Sequence, residues 1–199
     1  MNQYKLEYPN ITELNENLEE VTKSLIDYEF SNNRTIWITG MFDDPMDGVK
    51  IVIAIDYLAS SSDEDITLKI SNYGGQLDCM WMIVNAMNRA KCDIRTEIHG
   101  EANSCAGFIF INGTKGKRFM TPHSFLMLHE TSWGTETMTH SYNSNQYKNY
   151  YSIHAEELAK YVSSKCDMSE EETNNWLKKD NWLTPEKAIE MGFCDKILN

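Results

Sequence analysis

Three residues of this chain have the types and spacing that nucleophilic acyl transfer requires. Ser104 stands between Gly100-Glu-Ala-Asn103 and the apolar run Cys105-Ala-Gly-Phe-Ile-Phe-Ile111. His129 ends the segment Ser124-Phe-Leu-Met-Leu-His129, and Asp180 lies in Lys178-Lys-Asp-Asn-Trp182. A serine hydroxyl is a weak nucleophile until a neighbouring base takes its proton, and an imidazole serves when a carboxylate holds its tautomer. Gly74-Gly75 stand before an apolar-periodic segment. Two glycines at that place let the backbone turn N–H groups into a cleft beside a helix N-terminus, which is how an oxyanion hole or an anion nest is made.

Each of these residues alone also has a plainer reading. The glycine pair fits a tight turn, Ser104 an ordinary helix N-cap, His129 a core histidine bonded to a carbonyl, and Asp180 a solvated carboxylate between two helices. The segment around Ser104 is not the G-x-S-x-G elbow of other hydrolases, since Ala102 and Ala106 occupy its glycine positions.

The elements that must position these groups follow from periodicity. Leu18, Val21, Leu25 and Ile26 form a helical stripe within an otherwise polar 1–33. Thr35-Ile-Trp-Ile-Thr39 predicts a strand that Gly40 ends, and a helix follows over 48–59. Ile66-Thr-Leu-Lys-Ile70 alternates as a strand does, and Gly74-Gly75 lead into a helix with Leu77, Met80, Trp81, Val84 and Met87 on one face. Further strands are expected at 94–98 and 125–129, with a long helix over about 145–163. Ser169-Glu-Glu-Glu172 is a capping box, and Thr184-Pro185 opens a last helix that Gly192 closes. Strands alternating with helices predict an α/β fold.

Composition narrows the function. The 199 residues suit one domain, and 30 acidic against 18 basic residues give a charge of −12. That balance argues against tracking a phosphate backbone or an anionic membrane. The longest apolar runs, 51–55 and 107–111, are far shorter than a bilayer span. The opening MNQYKLEYPN has neither an apolar core nor a small-residue cleavage site, so no signal peptide is expected. Cys79, Cys92, Cys105, Cys166 and Cys194 form no metal-spaced cluster and read as reduced thiols of a cytoplasm.

From about Thr35 to Leu198 the chain resembles the proteolytic subunit of the Clp protease family, self-compartmentalising serine proteases. The matching segments are Ile36-Trp-Ile-Thr-Gly40, Ile70-Ser-Asn-Tyr-Gly-Gly75, Gly100-Glu-Ala-Asn-Ser104, Gly113-Thr-Lys-Gly-Lys-Arg-Phe119, 122–129 and 179–192, in the family's order. The resemblance implies a Clp-protease/crotonase type of α/β fold, made of repeated β-β-α units with a protruding handle of a strand plus a long helix. It implies a divergent segment at 1–33 and a protease domain at 34–199, with the handle at about 130–165. The family's nucleophile falls on Ser104, its base on His129 and its acid on Asp180. Its oxyanion-hole amides fall on Gly75 and Cys105. Expected, then, is a cytoplasmic serine endopeptidase that cuts peptides or unfolded polypeptides. It would act within a heptameric homo-oligomeric ring, single or stacked in two, without metal or organic cofactor and without nucleic-acid or membrane partners.

Departures from the family pattern bear on partners. Tyr73 stands for a proline, Ala106-Gly107 for a glycine-then-small pair, and Glu130-Thr131 for glutamine and proline. The family docks an apolar loop of an AAA+ unfoldase, yet the matching positions Thr67, Lys69, Arg89 and His99 are polar, while Phe119 and Leu198 stay apolar. A hydrophobic anchor cannot bury there without desolvating charge, so a lone subunit or a different adaptor is expected. Lys178 and Lys179 replace an acid and an arginine that pair between rings; Glu130 or Glu136 could supply the opposite charge, and Trp133 lies in the handle. Three other readings stand beside this one. Cys105 could be the nucleophile, as Asn103-Ser-Cys-Ala faintly resembles papain-like proteases; the chain could be an inactive scaffold or binding subunit; or it could hold an acyl-CoA thioester in the crotonase manner.

Overall fold

The computed structural model describes residues 18–130 and 144–198. The chain runs α1 (Leu18–Asn33), β1 (Thr35–Phe42), α2 (Pro45–Ser61), β2 (Ile66–Gly75), α3 (Leu77–Arg89), β3 (Ile94–Asn103) and α4 (Cys105–Ile111). It continues through β4 (Arg118–Met120), β5 (Phe125–Leu128), α5 (Ser144–Ser163), α6 (Glu170–Leu177), β6 (Asn181–Leu183), α7 (Pro185–Glu190) and β7 (Lys196–Ile197). Strand–helix alternation thus yields a mixed α/β fold with a central sheet.

The sheet is parallel along β1-β2-β3-β4-β7, and β3 is shared between two branches. Its first half, Thr96 to Ile98, pairs with β4; its second half, Glu101 to Asn103, pairs with β5. Among the described strands only β6 runs antiparallel, against β5. Ile36, Ile38, Ile66, Leu68, Ile70 and Ile98 leave the inner face of the sheet and pack with Met80, Ile83, Val84 and Met87 of α3 and with all of α4. Each large apolar side chain buried this way contributes roughly 1.5–3 kcal/mol relative to an exposed one.

Local chemistry accounts for the helix ends. Asp44 and Asp47 form a capping box on α2 ahead of Pro45, which starts that helix three residues earlier than periodicity alone indicates. The Ser169–Glu172 box opens α6, and the Thr184 hydroxyl accepts from the Lys187 amide above Pro185. Other expectations need correction. Gly40 does not end β1; the strand passes through a bulge and Phe42 still pairs with Gly75. Gly74 and Gly75 complete β2 rather than turning it, and α3 begins two residues later. In α1 the stripe residue Leu25 is half-buried. Ile26 is 45% exposed, whereas Glu29 is buried. The short strands β4, β6 and β7 carry too few residues for periodicity to reveal them. Residues 1–17, and the handle stretch 131–143 with Thr131, Trp133 and Glu136, lie outside the described residues.

One buried ion pair ties the C-terminal strand to the sheet. Arg118 of β4 donates to both Asp195 oxygens at 3.0 and 2.7 Å, and the Gly116 and Arg118 amides donate to the same carboxylate. Burial pushes the Asp195 carboxyl up, but the Arg118 bonds and charge outweigh it and hold the group below the usual carboxylate range. Its stabilisation is therefore complete above the unfolded value of about 3.9 and is lost as pH falls through the lower folded value. Arg118→Met leaves that carboxylate two backbone amides but no counter-charge and is expected to cost about 3 kcal/mol in urea unfolding. Asp195→Asn should flatten the acid limb of the stability curve; an unchanged limb would refute this origin.

Candidate active site

The junction of β3 and α4 sets Ser104 in an unusual backbone state, with φ 52° and ψ −123°. A non-glycine residue there stores strain of about 1–3 kcal/mol. Ser104 stands at the N-cap position of α4, but its side chain makes no capping bond there. Its amide donates to the Met127 carbonyl at 2.9 Å, and its own carbonyl accepts from the Phe108 amide at 3.1 Å. The turn is thereby fastened to β5 on one side and to α4 on the other.

That hydroxyl lies 2.8 Å from His129 Nε2. His129 Nδ1 lies 2.9 Å from Asp180 Oδ1. A carboxylate only accepts, so Nδ1 carries the proton and Nε2 is left to accept from the serine. The core-histidine reading fails on the same contacts. His129 bridges two side chains, with 20% of its own side chain exposed, while Asp180 is 66% exposed.

Pairing explains how residues so far apart meet. His129 directly follows β5, whose register sets Leu128 opposite Asn181 and Met127 opposite Trp182. Continuing that register by one residue brings His129 to Asp180. The Glu130 amide donates to the Leu177 carbonyl at 2.7 Å, closing the junction with the end of α6. Nothing in the sequence pattern exposed β6, and with it the reason Asp180 faces a histidine.

Two glycines permit the close approaches. A Cβ on Gly74, at φ 88°, would stand 2.6 Å from the Asn103 carbonyl oxygen and 2.8 Å from Ser104 Cβ. A Cβ on Gly107 would stand 2.7 Å from the Met127 carbonyl oxygen, so this departure from the family pattern is the point where α4 meets β5. Asn72, buried and overlooked in the sequence, accepts from the Gly74 amide at 2.8 Å and donates to the Thr39 carbonyl at 3.0 Å. An asparagine two residues ahead of a glycine is a known turn former and was the available signal. The Cys105 thiol donates to the Gly75 carbonyl at 3.1 Å, joining the two residues expected to supply oxyanion amides.

Of the remaining expected positions, Lys69 and Phe119 lie in register with Trp37 and Glu97 across the sheet, and His99 packs beside them. Lys69 pairs with Glu29 of α1 at 2.8 Å and lies over the Trp37 ring. His99 Nε2 lies 2.8 Å from Glu97, and its ring meets Trp37 at 5.5 Å between centroids. Arg95 pairs with Glu97 and covers the Phe119 ring at 4.1 Å. Burial pushes the Glu97 carboxyl up, but His99 and Arg95 together bring it below the ordinary value. Arg89 instead reaches both Asp56 oxygens at 3.0 Å on the outer side of the helices. Thr67 and Leu198 are half-buried at the margins.

Burial raises the Cys105 thiol to about 12, which leaves almost no thiolate at neutral pH. Relative to an ordinary thiol near 8.5, alkylation of Cys105 by iodoacetamide at pH 8 is expected to be about 1,000-fold slower. Peptide mass spectrometry of the native protein measures this directly. Rapid modification of Cys105 would restore it as a nucleophile.

The Clp protease family model matches residues 18–199. Two relatives of the same description, the "ATP-dependent Clp protease proteolytic subunit" of Streptococcus pneumoniae strain 70585 and that of strain Hungary19A-6, are each 30% identical over 166 residues. The match covers 83% of this chain and 85% of each relative. With the fold and nearly the whole length accounted for, the chain belongs to the Clp protease family.

Proposed function

We propose that this protein is a serine endopeptidase that cleaves peptides or unfolded polypeptides through an acyl-enzyme on Ser104. The observation that carries the reading is the continuous hydrogen-bonded relay from Ser104 through His129 to Asp180, at a serine held in a strained turn. Membership in a family of proteases gives the kind of reaction. The residue roles are our own assignment.

In this mechanism Ser104 Oγ attacks the scissile carbonyl carbon while His129 Nε2 takes the hydroxyl proton. Asp180 holds the ring and stabilises the imidazolium. The carbonyl oxygen becomes an oxyanion, for which the amides of Gly75 and Cys105 are the assigned donors. Collapse breaks the C–N bond, and His129 returns its proton to the departing amine. A water then attacks the ester with His129 again as base, freeing the carboxylic acid and restoring Ser104. The steps require no cofactor.

A ring assembly is part of the proposal. Met46, Ile53 and Tyr57 line one face of α2 at helical spacing and are more than half exposed, and Ile26 of α1 is 45% exposed. Phe30 stacks on Tyr57 at 5.9 Å between centroids, making the patch continuous across both helices. An apolar strip of this kind suits contact between copies. We assign a heptameric ring; Lys178, bonded to Asn175, and Lys179, exposed, offer no opposite charges to a second ring. The unlinked cysteines fit a reducing cytoplasm. An inactive scaffold is the second reading, and the exposure of Asp180 is what favours it.

A fluorophosphonate probe decides between them. One adduct by intact mass on the wild type and none on Ser104→Ala is expected, with Asp180→Asn lowering turnover about 10⁴-fold. Equal peptidase rates for wild type and Ser104→Ala would end the assignment.

The ion-paired sheet face also argues against an unfoldase that anchors by an apolar loop, because such a loop would strip water from paired charges. Pull-down with a bacterial Clp ATPase is expected to give no stable ATP-dependent complex, and recovery of one would reverse this view.

A further inference from the structure

The relay has one weakness that the structure answers elsewhere. Asp180 is largely exposed, so packing does not hold its carboxylate against His129. What fixes it is the backbone around it, and that backbone converges on a single side chain. Asn181 Nδ2 donates to the Leu128 carbonyl at 3.1 Å, to the Trp176 carbonyl at 2.8 Å and to the Lys179 carbonyl at 2.6 Å. All three acceptors are carbonyl oxygens, so only the amide nitrogen can face them. With two hydrogens for three acceptors, one bond is shared.

The three carbonyls belong to the pieces that must agree. Leu128 immediately precedes His129, Trp176 is in the last turn of α6, and Lys179 immediately precedes Asp180. The Leu128–Asn181 register pair and the bond from the Glu130 amide to the Leu177 carbonyl close the same junction. We infer that Asn181 is a positioning residue, a clamp that sets the Asp180 carboxylate against His129 Nδ1 without touching substrate. The inference rests on the relay proposed above.

Asn181→Leu keeps the side-chain shape but loses every donor. Loosening the clamp is expected to lower kcat about 100-fold with KM changed less than about twofold, because substrate contacts remain. Asn181→Ser, which retains one shorter donor, should fall between. In an Asp180→Asn background, Asn181→Leu should cost less than about a further twofold if it acts through the carboxylate.

A spectroscopic readout separates this clamp from the protease assignment. The proton shared by His129 Nδ1 and Asp180 should give a low-field NMR resonance in the wild type and in Ser104→Ala, absent from Asp180→Asn. Asn181→Leu, with its fold checked by circular dichroism, should lose or broaden it. A folded Asn181→Leu protein that keeps both the resonance and kcat overturns the clamp alone. Loss of kcat by the same factor in the Asp180→Asn background also overturns it, since the effect would then bypass the carboxylate. Absence of the resonance from the wild type, with turnover independent of Ser104, overturns the relay and the clamp together. If Asn181→Leu does not fold, Asn181→Ser decides by the same resonance.

Discussion

The bond from the Ser104 amide to the Met127 carbonyl joins the two parts of the chain that have to work together. It extends the parallel pairing of β3 with β5 by one residue beyond Asn103. Without that extra step Ser104 would belong to a loop and His129 to a separate strand end, with the distance between them left to chance. The left-handed turn at Ser104 is tolerable because α4 behind it is buried along its whole length and cannot shift. Glycine at 74 and 107 removes the atoms that would keep β2 and α4 apart from this junction.

Much of this was legible in the sequence. Alternation at Ile66–Ile70, the capping box at Ser169 and proline at 185 each produced the element they imply. The three candidate side chains meet in space as their types suggested. What stayed hidden has a common cause. β4, β6 and β7 are two or three residues long, and their pairing is decided by distant partners rather than by local pattern. Asn181 was therefore invisible, since its importance comes from facing Leu128 across one such strand. In α1 the stripe predicts the helix but not the 45% exposure of Ile26, because periodicity alone carries no burial.

The outer face of the sheet shows the opposite economy. Both carboxylates there, Glu29 and Glu97, are the deepest groups, and each is matched by cations nearer the water. Lys69 and Arg95 further cover the Trp37 and Phe119 rings. Paired in this way, these charges would have to be desolvated by an incoming hydrophobic group.

The exposure of Asp180 makes the relay answer to its surroundings in a way that a buried acid would not. A carboxylate inside a protein acts through a low dielectric and is hardly screened by dissolved ions. One at the surface shares its field with counterions over a Debye length of about 8 Å at physiological ionic strength and about 3 Å at 1 M. Direct contact with Nδ1 survives such screening; the longer-range support for an imidazolium does not. The salt content of the solution around the site thus becomes a physical variable of the proposed relay, and anything that covers Asp180 insulates that contact from it.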